Sequence, residues 1–312
     1  MIYFVVAILF CLTAMVSLLC SCSILSHWRE HSLSVFIIGV LWNYSEVIPG
    51  APALIKYLVE TNRKVYLLTN NSTRSAEQYA DKCRKLGLSV TADNIICSSG
   101  VAANYLSSQG VRGPVYVLGD VGVGLELDKV GISHFGIGPD HSGDGSLLGG
   151  VDLNPNTCCV LVGFDPHINY RKLLKATTYI SRGVPFYATN EDAQLPCADY
   201  VQPGTGAIVA AVKFAAGCKP IVLGKPHQPV MDVLRRRHSL DPARTIMVGD
   251  RLDTDIVFGN RFGLHSACVL TGVTTQSLLD EVKADPKRVR LRPEMEFRSV
   301  AEILEELKAA DR

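Results

Sequence analysis

This chain carries no excess charge of either sign. Its 31 basic and 30 acidic residues leave a formal net charge of +1. The basic footprint that would neutralise nucleic-acid phosphates is therefore missing, and nucleic acid is excluded as an expected partner. Among the 10 cysteines there is no Cys-x-x-Cys pair and no regular framework, which points to reduced, buried thiols rather than a disulfide scaffold. Internal repeats are lacking. The run Gly119-Asp-Val-Gly-Val-Gly124 lacks both the last spaced glycine and the acidic partner of a dinucleotide loop. Asp140-His-Ser-Gly-Asp-Gly145 is too short for a calcium loop and lacks its closing Glu.

One segment lacks charge altogether. Ile2–Leu25 is 24 residues, mostly Ile, Leu, Val, Phe, Ala and Cys, with no Lys, Arg, Asp or Glu. Such a run is long enough to cross a bilayer as an apolar helix. Residues 1–31 thus have three readings: a membrane anchor, a cleaved signal, or a non-native exon. A signal peptide would normally open on a basic stretch, which is missing here. Arg29 follows the span, favouring an anchor with the body in the cytosol. Membrane attachment, if any, would run through residues 2–25.

The remaining chain is rich in structure. With 312 residues, 47% of them hydrophobic, it can bury a large core and is expected to form two domains. From about Ser32, apolar strand-like runs alternate with helical stretches. Strands are expected at 33–41, 65–69, 94–97, 115–118, 159–163, 185–189, 221–223, 245–248 and 266–270. Helices are expected at 51–60, 75–86, 101–108, 170–181, 229–238, 254–262 and 300–309. This alternation predicts an α/β fold built on a parallel sheet. The Gly- and Asp-rich stretch 138–155 reads as a loop. The middle third reads as an inserted α/β cap domain at 102–203, with the core split into 32–101 and 204–312.

Three phrases at strand ends carry candidate chemistry. Tyr66-Leu-Leu-Thr69-Asn70-Asn71-Ser72 places a hydroxyl and two amides after an apolar strand. Those groups could donate to a phosphate, or could simply form a turn and helix cap. Ile221-Val-Leu-Gly224-Lys225-Pro226 puts one lysine after a strand and a glycine, as a point charge for phosphate or a solvated cation. Thr245-Ile-Met-Val-Gly249-Asp250-Arg-Leu-Asp253-Thr-Asp255 clusters three carboxylates behind a short strand. Hard divalent cations take oxygen ligands, and magnesium needs only one or two protein carboxylates. Asp253 suits the cap of a helix beginning near Thr254.

Together, and in this order, these phrases resemble the haloacid dehalogenase (HAD) superfamily of phosphohydrolases over nearly all of residues 33–312. Gly39-Val-Leu-Trp42, Ile48-Pro-Gly-Ala51, Val162-Gly-Phe-Asp-Pro-His167 and Pro203-Gly-Thr-Gly206 sharpen the resemblance. They are similar to the eukaryotic phosphoglycolate and 4-nitrophenyl phosphatases, whose close cousin is pyridoxal phosphate phosphatase. The resemblance implies a Rossmann-like HAD core with a large inserted cap, Mg²⁺ as cofactor and a small phosphorylated metabolite as substrate. Thr69, Asn70 and Asn71 would bind the phosphate, and Lys225 would neutralise it and the nucleophile. Asp250 would bind Mg²⁺, with Asp255 supporting it. Homodimers formed through the cap are a further implication.

The first strand breaks the pattern. Members of this family end it Asp-x-Asp-Gly-Val-Leu-Trp, the first Asp attacking phosphorus and the second serving as general acid and base. This chain reads Val35-Phe36-Ile37-Ile38-Gly39-Val40-Leu41-Trp42. Phe36 stands at the nucleophile position and Ile38 at the acid/base position. Neither side chain can attack, carry a proton or bind a metal, and only the Ile38 carbonyl could still coordinate. The expectation is a phosphatase that is weak or inactive as written. The alternatives are a pseudophosphatase that binds phosphate or regulates an active subunit, and an enzyme for pyridoxal phosphate.

The cap phrase Ala188-Thr-Asn-Glu-Asp-Ala-Gln-Leu195-Pro196 resembles the glycolate-type enzymes, with apolar Leu195 where pyridoxal-type enzymes carry histidine. Glycosylation sequons begin at Asn43, Asn70 and Asn71. A glycan on either of the last two would block a phosphate pocket, which favours a cytoplasmic body.

Overall fold

The structure, a computed structural model, describes residues 34–37, 40–43, 46–140, 151–195 and 200–312. The apolar segment 1–31, the acid/base position Ile38, the Asn43 sequon's Ser45 and most of the loop expected at 138–155 lie outside the described residues. Among the described residues no helix is long and apolar enough to cross a membrane.

The chain divides into two compact units. The first joins residues up to Tyr66 with Leu240–Arg312. Its strands lie in the order Met295–Phe297, His265–Val269, Thr245–Gly249, Ser34–Ile37, followed by the strand Lys64–Thr69, whose last three residues belong to the second unit. Ser34–Ile37 runs parallel to Thr245–Gly249, with Phe36 opposite Met247 and Ile37 opposite Val248. The other two strands are parallel as well. Parallel sheets covered on both faces need near-continuous apolar strands, and Ile246, Met247, Val248, Ala267, Cys268 and Val269 are all buried.

Helix Ala51–Glu60 shows how the sequence sets the packing. Ala51, Leu54, Ile55 and Leu58 recur at helical spacing and are the buried residues. Each fully buried leucine or isoleucine contributes roughly 1.5–3 kcal/mol. Pro52 sits in the first turn, where its missing N–H costs nothing. Gly50 precedes it at φ +89°, and a Cβ there would press on Ala301 of helix Val300–Ala310. The helix stops at Thr61, whose hydroxyl donates to the Tyr57 carbonyl. Next, buried Arg63 donates from Nη1 and Nη2 to the two oxygens of Asp311, at 2.9 and 2.7 Å.

The second unit spans Leu67–Ser239. Leu67, Leu68 and Thr69 pair with Ile95, Ile96 and Cys97. Helix Ala76–Lys85 starts on a capping box between Ser75 and Gln78. A separate five-stranded sheet has the order Ile221–Val222, Phe186–Ala188, Cys159–Val162, Val115–Leu118, His134–Phe135, parallel throughout. Helices Tyr170–Ser181 and Thr205–Ala216 contribute Ala176, Tyr179, Ile180, Ile208, Val209 and Val212 to its core. The stretch expected to fail as a dinucleotide loop forms helix Val121–Lys129 instead, capped by Asp120. Fully buried Lys172 donates to Asp165 at 2.5 Å, and the other Asp165 oxygen accepts the His167 N–H. His167 therefore borders a buried structural ion pair.

Candidate active site

Each unit carries one cluster of the expected residues. In the second unit, strand Lys64–Thr69 delivers Thr69, Asn70 and Asn71 at its carboxyl end. The Thr69 hydroxyl accepts the Asn71 N–H at 3.2 Å. Asn71 Oδ1 accepts both the N–H and the hydroxyl of Thr73, closing an Asx turn. The buried Tyr79 hydroxyl donates to the Asn71 carbonyl, and burial raises its pKa, keeping it a donor. Helix Ser98–Ser108 opens with two serines that hold the same turn, Ser98 donating to the Asn70 carbonyl and Ser99 to the Arg74 carbonyl. Glu126 accepts the Ala76 N–H at 2.7 Å. Beside it, burial pushes the Cys97 thiol up to about 11. Helix capping therefore falls to Ser75, which leaves Thr69–Asn71 as a separately braced turn.

Lys225 arrives from strand Ile221–Val222 and is buried, with Nζ 3.5 Å from the Leu68 carbonyl. Its backbone N–H donates to Asn70 Oδ1 at 2.9 Å. Asn70 and Lys225 are thus brought together across 155 residues of sequence. Gly224 permits this approach, since a Cβ there would overlap the Thr189 carbonyl and crowd Asn70. Leu195 lies in a short antiparallel hairpin, opposite Gln202, and is half-buried.

The first unit carries the acidic phrase. Strand Thr245–Gly249 is buried throughout and ends at Gly249, where a Cβ would overlap the Asp255 carboxylate. Asp255 is fully buried. Its Oδ2 accepts the N–H groups of Asp250 and Arg251 at 3.2 and 3.1 Å, and its Oδ1 accepts the Thr254 hydroxyl at 3.1 Å. Asp255 therefore shapes the turn that presents Asp250. Asp250, 5% exposed, accepts the Val273 N–H on Oδ2 at 2.9 Å, and its carbonyl accepts the Thr274 N–H. Gly272 lies so close that any Cβ would overlap the Asp250 carboxylate.

Asp253 does not cap a helix. It faces solvent and pairs with Arg251 through two bonds at 3.1 and 2.8 Å. The helix expected from Thr254 begins earlier, as a π-helical turn over Leu252–Ile256 that passes into α-helix Val257–Phe262. Such wide turns recur at functional sites.

A buried carboxylate braced by backbone donors at a strand's end suits a hard divalent cation in its oxygen chemistry. Among the described residues no group of three or more His, Cys, Asp or Glu gathers into a metal cage. The fit is therefore to an ion that takes a single carboxylate from this unit's acidic turn. Sequence reasoning missed Ser98, Ser99, Gly272 and Asp192. Ser98 and Ser99 could have been found from the hydroxyls opening a helix, while Gly272 and Asp192 act through contacts distant in sequence.

Two parallel sheets with these phrases at strand ends fit the HAD class of fold. Residues 37–133 match the haloacid dehalogenase-like hydrolases, and residues 222–292 match the HAD-hydrolase-like family. The chain belongs to the haloacid dehalogenase-like hydrolases. It is 38% identical to the glycerol-3-phosphate phosphatase of Gallus gallus, over 85% of this chain and 88% of that protein. It is 37% identical to the chloroplastic phosphoglycolate phosphatase 1A of Arabidopsis thaliana, over 78% of this chain and 69% of that one. The magnesium complex of a glycerol phosphate phosphatase from Mycobacterium tuberculosis matches with a TM-score of 0.73 and 27% identity, covering 90% of this chain and 79% of that one. The family and fold expected from the sequence are therefore correct.

Proposed function

We propose that this chain is a phosphomonoester-binding protein whose phosphatase chemistry is weak or absent. The observation that carries the reading is the apolar run Val35-Phe36-Ile37-Ile38 at the end of the first strand, where members of the family carry two aspartates. Phenylalanine and isoleucine offer no lone pair for attack and no proton to donate. Phosphoryl transfer without these groups is left with positioning and electrostatics alone. Thr69, Asn71 and Lys225 are the groups proposed to hold the phosphate. Asp250 would hold Mg²⁺, with Asp255 fixing its loop and the Ile38 carbonyl as the remaining opposite ligand. The magnesium complex of the M. tuberculosis relative supports this choice of ion.

The substrate class is a small phosphorylated metabolite, as the names of the relatives suggest. Leu195, apolar and half-buried, supports a compact organic phosphate such as phosphoglycolate over pyridoxal phosphate. The inserted segment 102–203 is proposed as the cap that sets this choice and carries a homodimer contact. A pseudophosphatase that pairs with an active subunit is the second reading. It is favoured by the retained Lys225 and Asp250 turns, which are fully braced although the nucleophile is gone. The buried amide of Asn70 leaves no room for a glycan, which supports a cytoplasmic body.

Turnover of 2-phosphoglycolate and 4-nitrophenyl phosphate with Mg²⁺ tests the reading. Rates at the level of the uncatalysed reaction, with measurable phosphate binding, are expected. Robust turnover by the unaltered chain would overturn it.

A further inference from the structure

Asn70 spends its whole side-chain amide inside the protein. Its Oδ1 accepts the Lys225 N–H at 2.9 Å, and its Nδ2 donates back to the Lys225 carbonyl at 3.2 Å. The same Nδ2 donates to Asp192 Oδ1 at 3.0 Å. A primary amide has two N–H donors and one carbonyl, so both donors and the acceptor are engaged. The residue is 6% exposed. Hydrogen bonds made away from water are strong, and leaving one unmade is correspondingly costly. The Asn70 carbonyl is itself held by Ser98, so the clasp is anchored at its base.

We propose that Asn70 is a positioning residue. It grips both main-chain groups of Lys225 and, through Asp192, ties the loop 188–195 to the turn that follows strand Lys64–Thr69. One amide thereby fixes where the Lys225 ammonium stands and where the loop bearing Leu195 begins. The inference rests on the reading of Thr69 and Lys225 as phosphate-holding groups. It removes the Asn70 side chain from the direct phosphate ligands. An aspartate could not substitute: it would keep an acceptor for the Lys225 N–H, lose both donors, and set a second carboxylate against Asp192.

Two measurements on the full chain test this. The first is hydrogen exchange at the Lys225 amide. In Asn70→Ala its exchange is expected to rise about tenfold, while the Val160 amide, bonded to the Pro185 carbonyl in the five-stranded sheet, keeps its rate. Unchanged exchange at Lys225 overturns the clasp. The second is calorimetric binding of inorganic phosphate. Asn70→Ala and Asn70→Asp are expected to weaken it about tenfold. Asp192→Ala should weaken it too, whereas Asp192→Asn, which keeps an acceptor oxygen, restores binding. Equal affinity in the parent and both Asn70 variants overturns the positioning role. Should alanine leave the chain unfolded, the isosteric Asn70→Asp carries the binding measurement, and the similarly sized Asn70→Leu, which offers no acceptor to the Lys225 N–H, carries the exchange measurement. A parent chain that binds no phosphate overturns the reading of the pocket, and the exchange measurement still decides the clasp.

Discussion

Two neighbouring strands of the first unit share a direction and a register but differ in what they deliver. Ser34–Ile37 and Thr245–Gly249 lie side by side and parallel. One leads into Asp250 and the turn built by Asp255; the other leads into Ile38. The difference shows that strand pairing and strand-end chemistry are held by separate forces. Pairing depends on backbone bonds and apolar packing, which apolar residues serve as well as or better than aspartates do. Two carboxylates at a sheet edge carry a desolvation cost that apolar residues avoid. The strand can therefore form with apolar residues at its carboxyl end as readily as with acidic ones.

The strongest way to break this comparison is to repair it. Phe36→Asp combined with Ile38→Asp is expected to raise 4-nitrophenol release with Mg²⁺ by on the order of 10³ or more, with either single change near background. A folded, inactive double variant would show that the Asp250 side is defective too. Next, Gly272→Ala should injure the intact side, because the new Cβ overlaps Asp250. A loss of about 1–3 kcal/mol is expected in urea denaturation.

A smaller effect separates ligand from bystander. Mg²⁺ at about ten times its dissociation constant should stabilise the parent by roughly 1.4 kcal/mol, read as a rise in melting temperature. Asp250→Asn should abolish the rise and Asp253→Asn should keep it. Equal stabilisation of the Asp250 variant would place the ion elsewhere.

The smallest effect lies at the amino-terminal end of the neighbouring strand in the same sheet, where His265 opens it. A hydrogen bond donated by its ring to the Glu294 carboxylate holds its pKa above the ordinary 6.5, against the opposing effect of burial. A raised value in the folded state means the contribution is present below the ordinary histidine value and is lost as pH rises through the raised one. Glu294 is 42% exposed, so screening keeps the term under about 1 kcal/mol. The stability gap between the parent and His265→Gln should shrink as pH rises from below the ordinary histidine value through the raised one; a gap that widens would reverse the sign.

Much of this was legible in the residues. Helices Ala51–Glu60 and Tyr170–Ser181 match their expected bounds because helical spacing and local caps are written within each segment. Strands at 64–69, 159–162 and 245–249 follow from apolar runs closed by polar or glycine residues. The helix expected from Val101 starts at Ser98, since its opening serines look like loop until they bond the preceding turn. The two-residue strands at His134 and Gln194 were missed because so short a run carries no period. Within the site, Asp250 and Lys225 were legible as charges beside glycines. The task of Asn70 was not, because its partners lie 122 and 155 residues away.

Asp255 closes its turn from within. Its carboxylate occupies the space a side chain at Gly249 would need, and it feeds two backbone amides of its own turn. The Asp250 turn is thus built from its own residues together with the segment at Gly272–Thr274, and takes none of these bonds from the strand Ser34–Ile37. Such a part is kept whenever the protein must merely fold. On the proposed reading, the Asp250 half of the centre stands ready without the reaction, and a chain given two aspartates at positions 36 and 38 would find that half still in place.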